Sequence, residues 1–124
     1  MKVHSIIADL HVPDIEGSRE FYADYLGLGV EEFNLGWVAR FTSAETGAHL
    51  QVVTKDASAP VDPVVSVKVD DVDAVYAKLN GAPVHLSLRD EDFGQRHFIT
   101  EDPSGTPVDV IKPIKPSPEF AAYQ

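Results

Sequence analysis

Apolar residues along this chain follow two rhythms, one strand-like and one helix-like, and the pair recurs twice in the same order. Ser5 to Val12 reads as a strand. The spacing then changes: Asp14 is placed to cap a helix, Ser18, Phe21, Tyr22, Tyr25 and Leu26 fall on one helical face, and Gly27 can close it. Three short β-type runs follow, Val30 to Asn34, Trp37 to Ser43 and His49 to Thr54, separated by Gly36 and by Glu45-Thr46-Gly47. From Val64 the order repeats. A strand runs to Val69, and Asp70 or Asp71 caps a helix whose Val72, Val75, Tyr76 and Leu79 recur at i, i+3, i+4 and i+7 before Asn80-Gly81 ends it. Strands over Val84 to Arg89, Arg96 to Thr100 and Pro107 to Ile111 complete the series, with turn residues around Gly94 and at Asp102-Pro103-Ser104-Gly105.

The two halves align at a nearly constant shift of 57 to 58 residues: Val12-Pro13-Asp14-Ile15 meets Val69-Asp70-Asp71-Val72, Phe41 meets Phe98, Gly47 meets Gly105, and Leu50-Gln51-Val52 meets Val108-Asp109-Val110. The pattern predicts an α+β fold of two tandem βαβββ modules. Module one spans 1–55 and module two 64–111, joined by an Ala-, Ser- and Pro-rich linker over 56–63. A tail over 112–124 is punctuated by Pro113, Pro116 and Pro118. Ser117 followed by Pro118 reads as the start of a terminal helical turn, which Phe120 and Tyr123 either dock on the domain or leave as a loose end.

At 124 residues, 44% hydrophobic and 24% charged, the chain suits one self-sufficient domain. Its net charge of −10 repels nucleic acid and anionic membrane surfaces, so neither is an expected partner. The same field would draw in a cationic ligand, although surplus carboxylates also serve plain solubility. The absence of cysteine removes disulfides, thiolate metal sites and cysteine nucleophiles. The opening MKVHSIIADLHV is too short and too polar for a signal or a membrane span, and the expected location is the cytoplasm.

The sequence resembles the vicinal oxygen chelate superfamily, which includes glyoxalases, extradiol dioxygenases, fosfomycin-resistance enzymes and bleomycin-resistance proteins. The carrying motifs are Val12-Pro13-Asp14 with Ser18-Arg19-Glu20-Phe21-Tyr22 and Leu26-Gly27, Phe93-Gly94-Gln95-Arg96, and Asp102-Pro103-Ser104-Gly105 with Val108-Asp109-Val110. The resemblance covers nearly the whole chain and implies U-shaped mixed sheets around a cavity, and a homodimer by family habit. It does not say which member this is, because one fold hosts many chemistries.

In metal-bearing relatives one ligand stands on the first and one on the last strand of each module. The resemblance places those positions at Ile7 and Val64, five residues before Val12 and Val69, and at Gln51 and Asp109. Two aliphatic and two oxygen-bearing side chains make a poor chelate, so no cofactor is expected and a divalent metal would need a displaced ligand set. Period-2 alternation puts Ser5, Asp9 and His11 on the cavity face with Ile7, His49 and Val53 with Gln51, Ser66 and Lys68 with Val64, and Pro107 and Ile111 with Asp109. The opposite face is almost wholly aliphatic, Ile6, Ala8, Leu10, Val12, Leu50, Val52, Val65, Val67, Val69, Val108 and Val110, and should pack beneath the helices.

The expected ligand-binding set is therefore Asp9, His11, Trp37, His49, Gln51, Ser66, Lys68, Phe93 and Asp109, with Trp37 and Phe93 as stacking walls on cavity-mouth loops. Asp109, His11 and His49 are the candidate acid/base groups. His97 reads as an ordinary sheet residue. Two functions stay open: a protein that binds a small cationic or aromatic molecule without a conventional metal, and a lyase-, isomerase- or dioxygenase-type enzyme with acid/base chemistry or a displaced metal.

Overall fold

The computed structural model describes residues 1–55, 59–79 and 81–118. The middle of the linker (Asp56 to Ser58), the helix-ending Asn80 and the tail residues Glu119 to Gln124, with Phe120 and Tyr123, lie outside the described residues. Eight strands carry the chain: β1 Val3–His11, β2 Val30–Asn34, β3 Val38–Thr42, β4 His49–Val53, β5 Val65–Val69, β6 Val84–Glu91, β7 Gln95–Glu101 and β8 Pro107–Pro113. They join into one sheet in the order β2-β3-β4-β1-β5-β8-β7-β6. Each module contributes a parallel pair, β1 with β4 and β5 with β8, and β1 meets β5 antiparallel at the centre. The seam between β1 and β5 is thus the axis of an internal pseudo-twofold, which is how a duplicated βαβββ sequence becomes one structure.

Helix α2, Val72–Ala77, forms as its spacing predicts. Asp71 caps it by accepting from the Ala74 amide at 3.0 Å, while Asp70 instead accepts from the Lys2 amide at 2.7 Å. Val72, Val75, Tyr76 and Leu79 pack on Val69, Phe98 and Val110. The helix of module one departs from expectation. Asp14 caps α1, Ile15–Ser18, by accepting from Gly17 N at 2.7 Å, but the chain then widens into a π-helix over Arg19–Tyr25. The Leu26 amide reaches back five residues to Phe21 O at 3.0 Å. The wider turn moves the buried face off the 3.6-residue register, with Ser18 and Ala23 inward five residues apart. Of the residues expected on one face, Ser18 is buried and Tyr22 packs on the core, while Phe21, Tyr25 and Leu26 stay half or more exposed.

Each helix covers the outer strands of its own module. Ile15 and Ala23 pack on Ala39, Phe41 and Val52, with Val12 and Leu50 at the margin. The aliphatic face therefore lies beneath the helices as expected at Leu50, Val52, Val67, Val69, Val108 and Val110. It does not along β1: Ile6 is 67% exposed and Ala8 is exposed as well. The other face of the sheet is concave, and its recess mixes Asp9, Gln51, Ser66, Lys68 and Asp109 with apolar Val38, Val53 and Ile111. Among the described residues, no helix is long and apolar enough to cross a membrane.

Candidate functional site

The concave face holds a cavity of about 340 Å³, within the size range of small-molecule sites. Its mouth is framed by two pseudo-equivalent hairpin turns. Trp37, after Gly36 at the β2–β3 turn, meets Phe93, before Gly94 at the β6–β7 turn, edge to face with centroids 5.9 Å apart. Gly94 has φ 105°, and a Cβ there would lie 3.0 Å from Ile114 O, so the turn that presents Phe93 admits only glycine without strain.

The floor is one hydrogen-bonded system across the seam. Gln51 turns its amide nitrogen to Asp9 Oδ1 at 2.8 Å, and its oxygen accepts from Arg40 Nη2 at 3.0 Å and Nε at 3.3 Å, so both ends of the carboxamide are fixed. Ser66 of module two donates to Asp9 Oδ2 at 2.6 Å, tying the modules together. Arg40 lies over the Phe33 ring at 4.9 Å and reaches Glu32 at 3.4 Å. Burial draws its guanidinium below the ordinary value, against the opposing pull of Glu32 and Asp9.

In module two the corresponding place is taken by His97, which is fully buried. Its Nδ1 lies 2.7 Å from Asp109 Oδ1, with the Gln95 carboxamide 3.1 Å away, and its Nε2 lies 2.9 Å from Glu91 Oε2. Burial favours the neutral imidazole, but the hydrogen bonds and charges of Asp109 and Glu91 outweigh it, and the pKa is raised.

Of the nine expected site residues, Asp9, Trp37, Gln51, Ser66, Lys68, Phe93 and Asp109 line the cavity. His11 and His49 do not. His11 sits at the end of β1 with Nε2 4.0 Å from Asp62, and His49 Nδ1 lies 3.1 Å from Gly47 O at the start of β4. Alternation fixes which face a side chain takes but not how far along the strand the cavity extends. Arg40, Glu32, Phe33 and Gln95 also line the cavity and were missed, because only first and last strands were projected. The signal was present: Arg40 precedes Phe41 as His97 precedes Phe98, so both face away from a buried anchor in each module.

The strand register shows what stands beside the implied last-strand positions. Gln51 pairs with Asp9, and Asp109 with Ser66, so the first-strand positions facing them lie two residues beyond Ile7 and Val64. Ile7 is buried opposite Ser66, and Val64 is 55% exposed. Four oxygen-bearing side chains therefore converge, but their chemistry does not suit a cation. Both Asp9 oxygens accept hydrogen bonds, Gln51 offers Asp9 its nitrogen while its oxygen faces a guanidinium, and Asp109 faces an imidazole. Among the described residues no group of three or more His, Asp or Glu is arranged to hold a metal ion.

The family model described as Glyoxalase/Bleomycin resistance protein/Dioxygenase superfamily matches residues 3–110. The chain belongs to the glyoxalase/bleomycin resistance protein/dioxygenase superfamily. Solved structures agree on the glyoxalase fold. A superfamily member from Vibrio splendidus 12B01 shares 19% identity at a TM-score of 0.61, covering 91% of this chain and 100% of that one. An uncharacterized protein from Methanosarcina mazei shares 23% at 0.66, covering 93% and 96%. The structure of an NAD-dependent benzaldehyde dehydrogenase from Legionella pneumophila shares 19% at 0.66, covering 90% and 100%. At these identities the likeness concerns fold alone. No curated protein matches the chain.

Proposed function

We propose that this glyoxalase-superfamily protein binds a small organic molecule, flat enough to lie against Trp37 and Phe93, in the cavity between its modules, and that it does so without a conventional metal centre. The observation that carries the reading is the floor itself. Asp9, Gln51 and Ser66 satisfy one another where a chelating member would present converging free donors, which leaves an organic ligand as the natural occupant of a polar-floored, aromatic-walled space. Trp37 is the chain's single tryptophan, so its emission reports the cavity directly. Titration with a set of small planar aromatics should give saturable Trp37 quenching at one site per chain, with a matching rise in melting temperature. At ten times Kd the gain is about 1.4 kcal/mol. Quenching without saturation or thermal shift for every compound would contradict the reading.

A second reading rests on the Glu91–His97–Asp109 arrangement. A cavity-floor carboxylate backed by a buried imidazole is what an acid/base enzyme uses to take and return a proton, with Asp109 as the group facing the substrate. Incubating a bound compound in D2O tests it. Carbon-bound deuterium incorporated by the wild type and not by Asp109→Asn supports catalysis, and no incorporation leaves binding as the function.

A further inference from the structure

The cavity is lined by charges of both signs, and most of them are already paired. Asp9 accepts from Gln51 and Ser66, Asp109 faces His97, and Glu32 faces Arg40, whose Nε and Nη2 donate to Gln51. Lys68 differs. It stands on β5 beside Ile111 of β8 and lines the same cavity, yet its ammonium has no hydrogen-bond or ion-pair partner among the described residues. The ammonium carries three donors, and with none of them committed to a protein group they stay open to a ligand.

Resting on the cavity-binding reading above, we propose that Lys68 is the charge-recognition group of the site and that the ligand is an aromatic or otherwise planar molecule bearing an anionic group, a carboxylate or its equivalent. The planar part lies against Trp37 and Phe93, and the anion meets the Lys68 ammonium on the floor. The net charge of −10 argues for a cationic ligand instead. That charge belongs to the whole surface and is screened over about 8 Å at physiological salt, whereas recognition is settled by which groups inside the cavity lack a partner.

Three probes of one shape decide between the two: biphenyl-4-carboxylate, biphenyl-4-carboxamide and the ammonium form of biphenyl-4-ylmethylamine, each titrated against the full chain by Trp37 emission and by melting temperature. The expected result is a carboxylate Kd at least about tenfold below those of the amide and the ammonium. Lys68→Met should bring the carboxylate to the level of the amide while leaving the amide unchanged, and Lys68→Arg should retain the preference, which separates lost charge from lost fold. Tighter binding of the ammonium, or a carboxylate preference that survives in Lys68→Met, overturns the proposal. If none of the three binds, the cavity reading itself falls, and the proposal with it.

Discussion

The two modules solve the same problem with unlike residues. Each holds the polar group of its last strand with a basic side chain from the neighbouring strand, which a glutamate from the hairpin partner holds in turn. In module one the series is Glu32, Arg40 and Gln51. In module two it is Glu91, His97 and Asp109. The first ends in a neutral carboxamide under a permanently charged guanidinium, 17% exposed at its side chain. The second ends in a buried carboxylate against a fully buried group that titrates. The duplication kept the scaffold and let the two floors diverge, so one rests on an arginine and the other on a histidine.

The largest effect should come from breaking the second series. His97→Leu leaves Asp109 and Glu91 facing each other without the imidazole, and removing one partner of a buried pair typically costs about 3–5 kcal/mol. Chemical denaturation should show a loss of that order. Next comes Asp9→Asn, which replaces one of two accepting oxygens at the seam and should cost about 1–2 kcal/mol. A double-mutant cycle with Ser66→Ala should return a coupling of about 1 kcal/mol, because the two are in direct contact across the modules. Arg40→Met should be milder, about 1 kcal/mol, since it keeps much of the apolar stem over Phe33 and leaves a neutral carboxamide behind.

The pH response sharpens the same contrast. His97 has a folded pKa raised above its unfolded value. Its stabilising contribution is complete below the unfolded value of about 6.5 and is lost as pH rises through the folded pKa, with a limiting slope of about 1.4 kcal/mol per pH unit. Melting curves from pH 6 upward should fall in the wild type and in Arg40→Met, and the fall should vanish in His97→Leu.

Much of this was legible in the chain. The repeat anchors, such as Phe41 with Phe98, gave the duplicated fold, because buried aromatics and turn glycines must recur where the backbone recurs. Alternation placed Asp9, Gln51, Ser66, Lys68 and Asp109 on the concave face. Two features were hidden. The π-helix arises from i→i+5 hydrogen bonds that no 3.6-residue pattern encodes, so Phe21 and Tyr25 part from Ser18 and Tyr22, with which that pattern groups them. Strand register, which depends on pairing across 42 residues between Asp9 and Gln51, is what joins those two side chains, and period-2 alternation does not give it. His11 and His49 drew attention by residue type, while His97, the histidine with two buried partners, looked ordinary because Asp109 and Glu91 are its neighbours only after β6, β7 and β8 have paired.

The central claim is that a hydrogen-bonded floor stands where a chelating superfamily member would hold its metal. Melting the protein, purified without chelator, in EDTA and then in excess Mn2+, Ni2+ or Zn2+, with metal content measured on the same sample, tests it most directly. The account predicts far less than one metal per chain and a melting temperature that none of these additions raises. A stoichiometric metal, or stabilisation approaching the roughly 2.7 kcal/mol that a ligand gives at a hundred times its Kd, would contradict it.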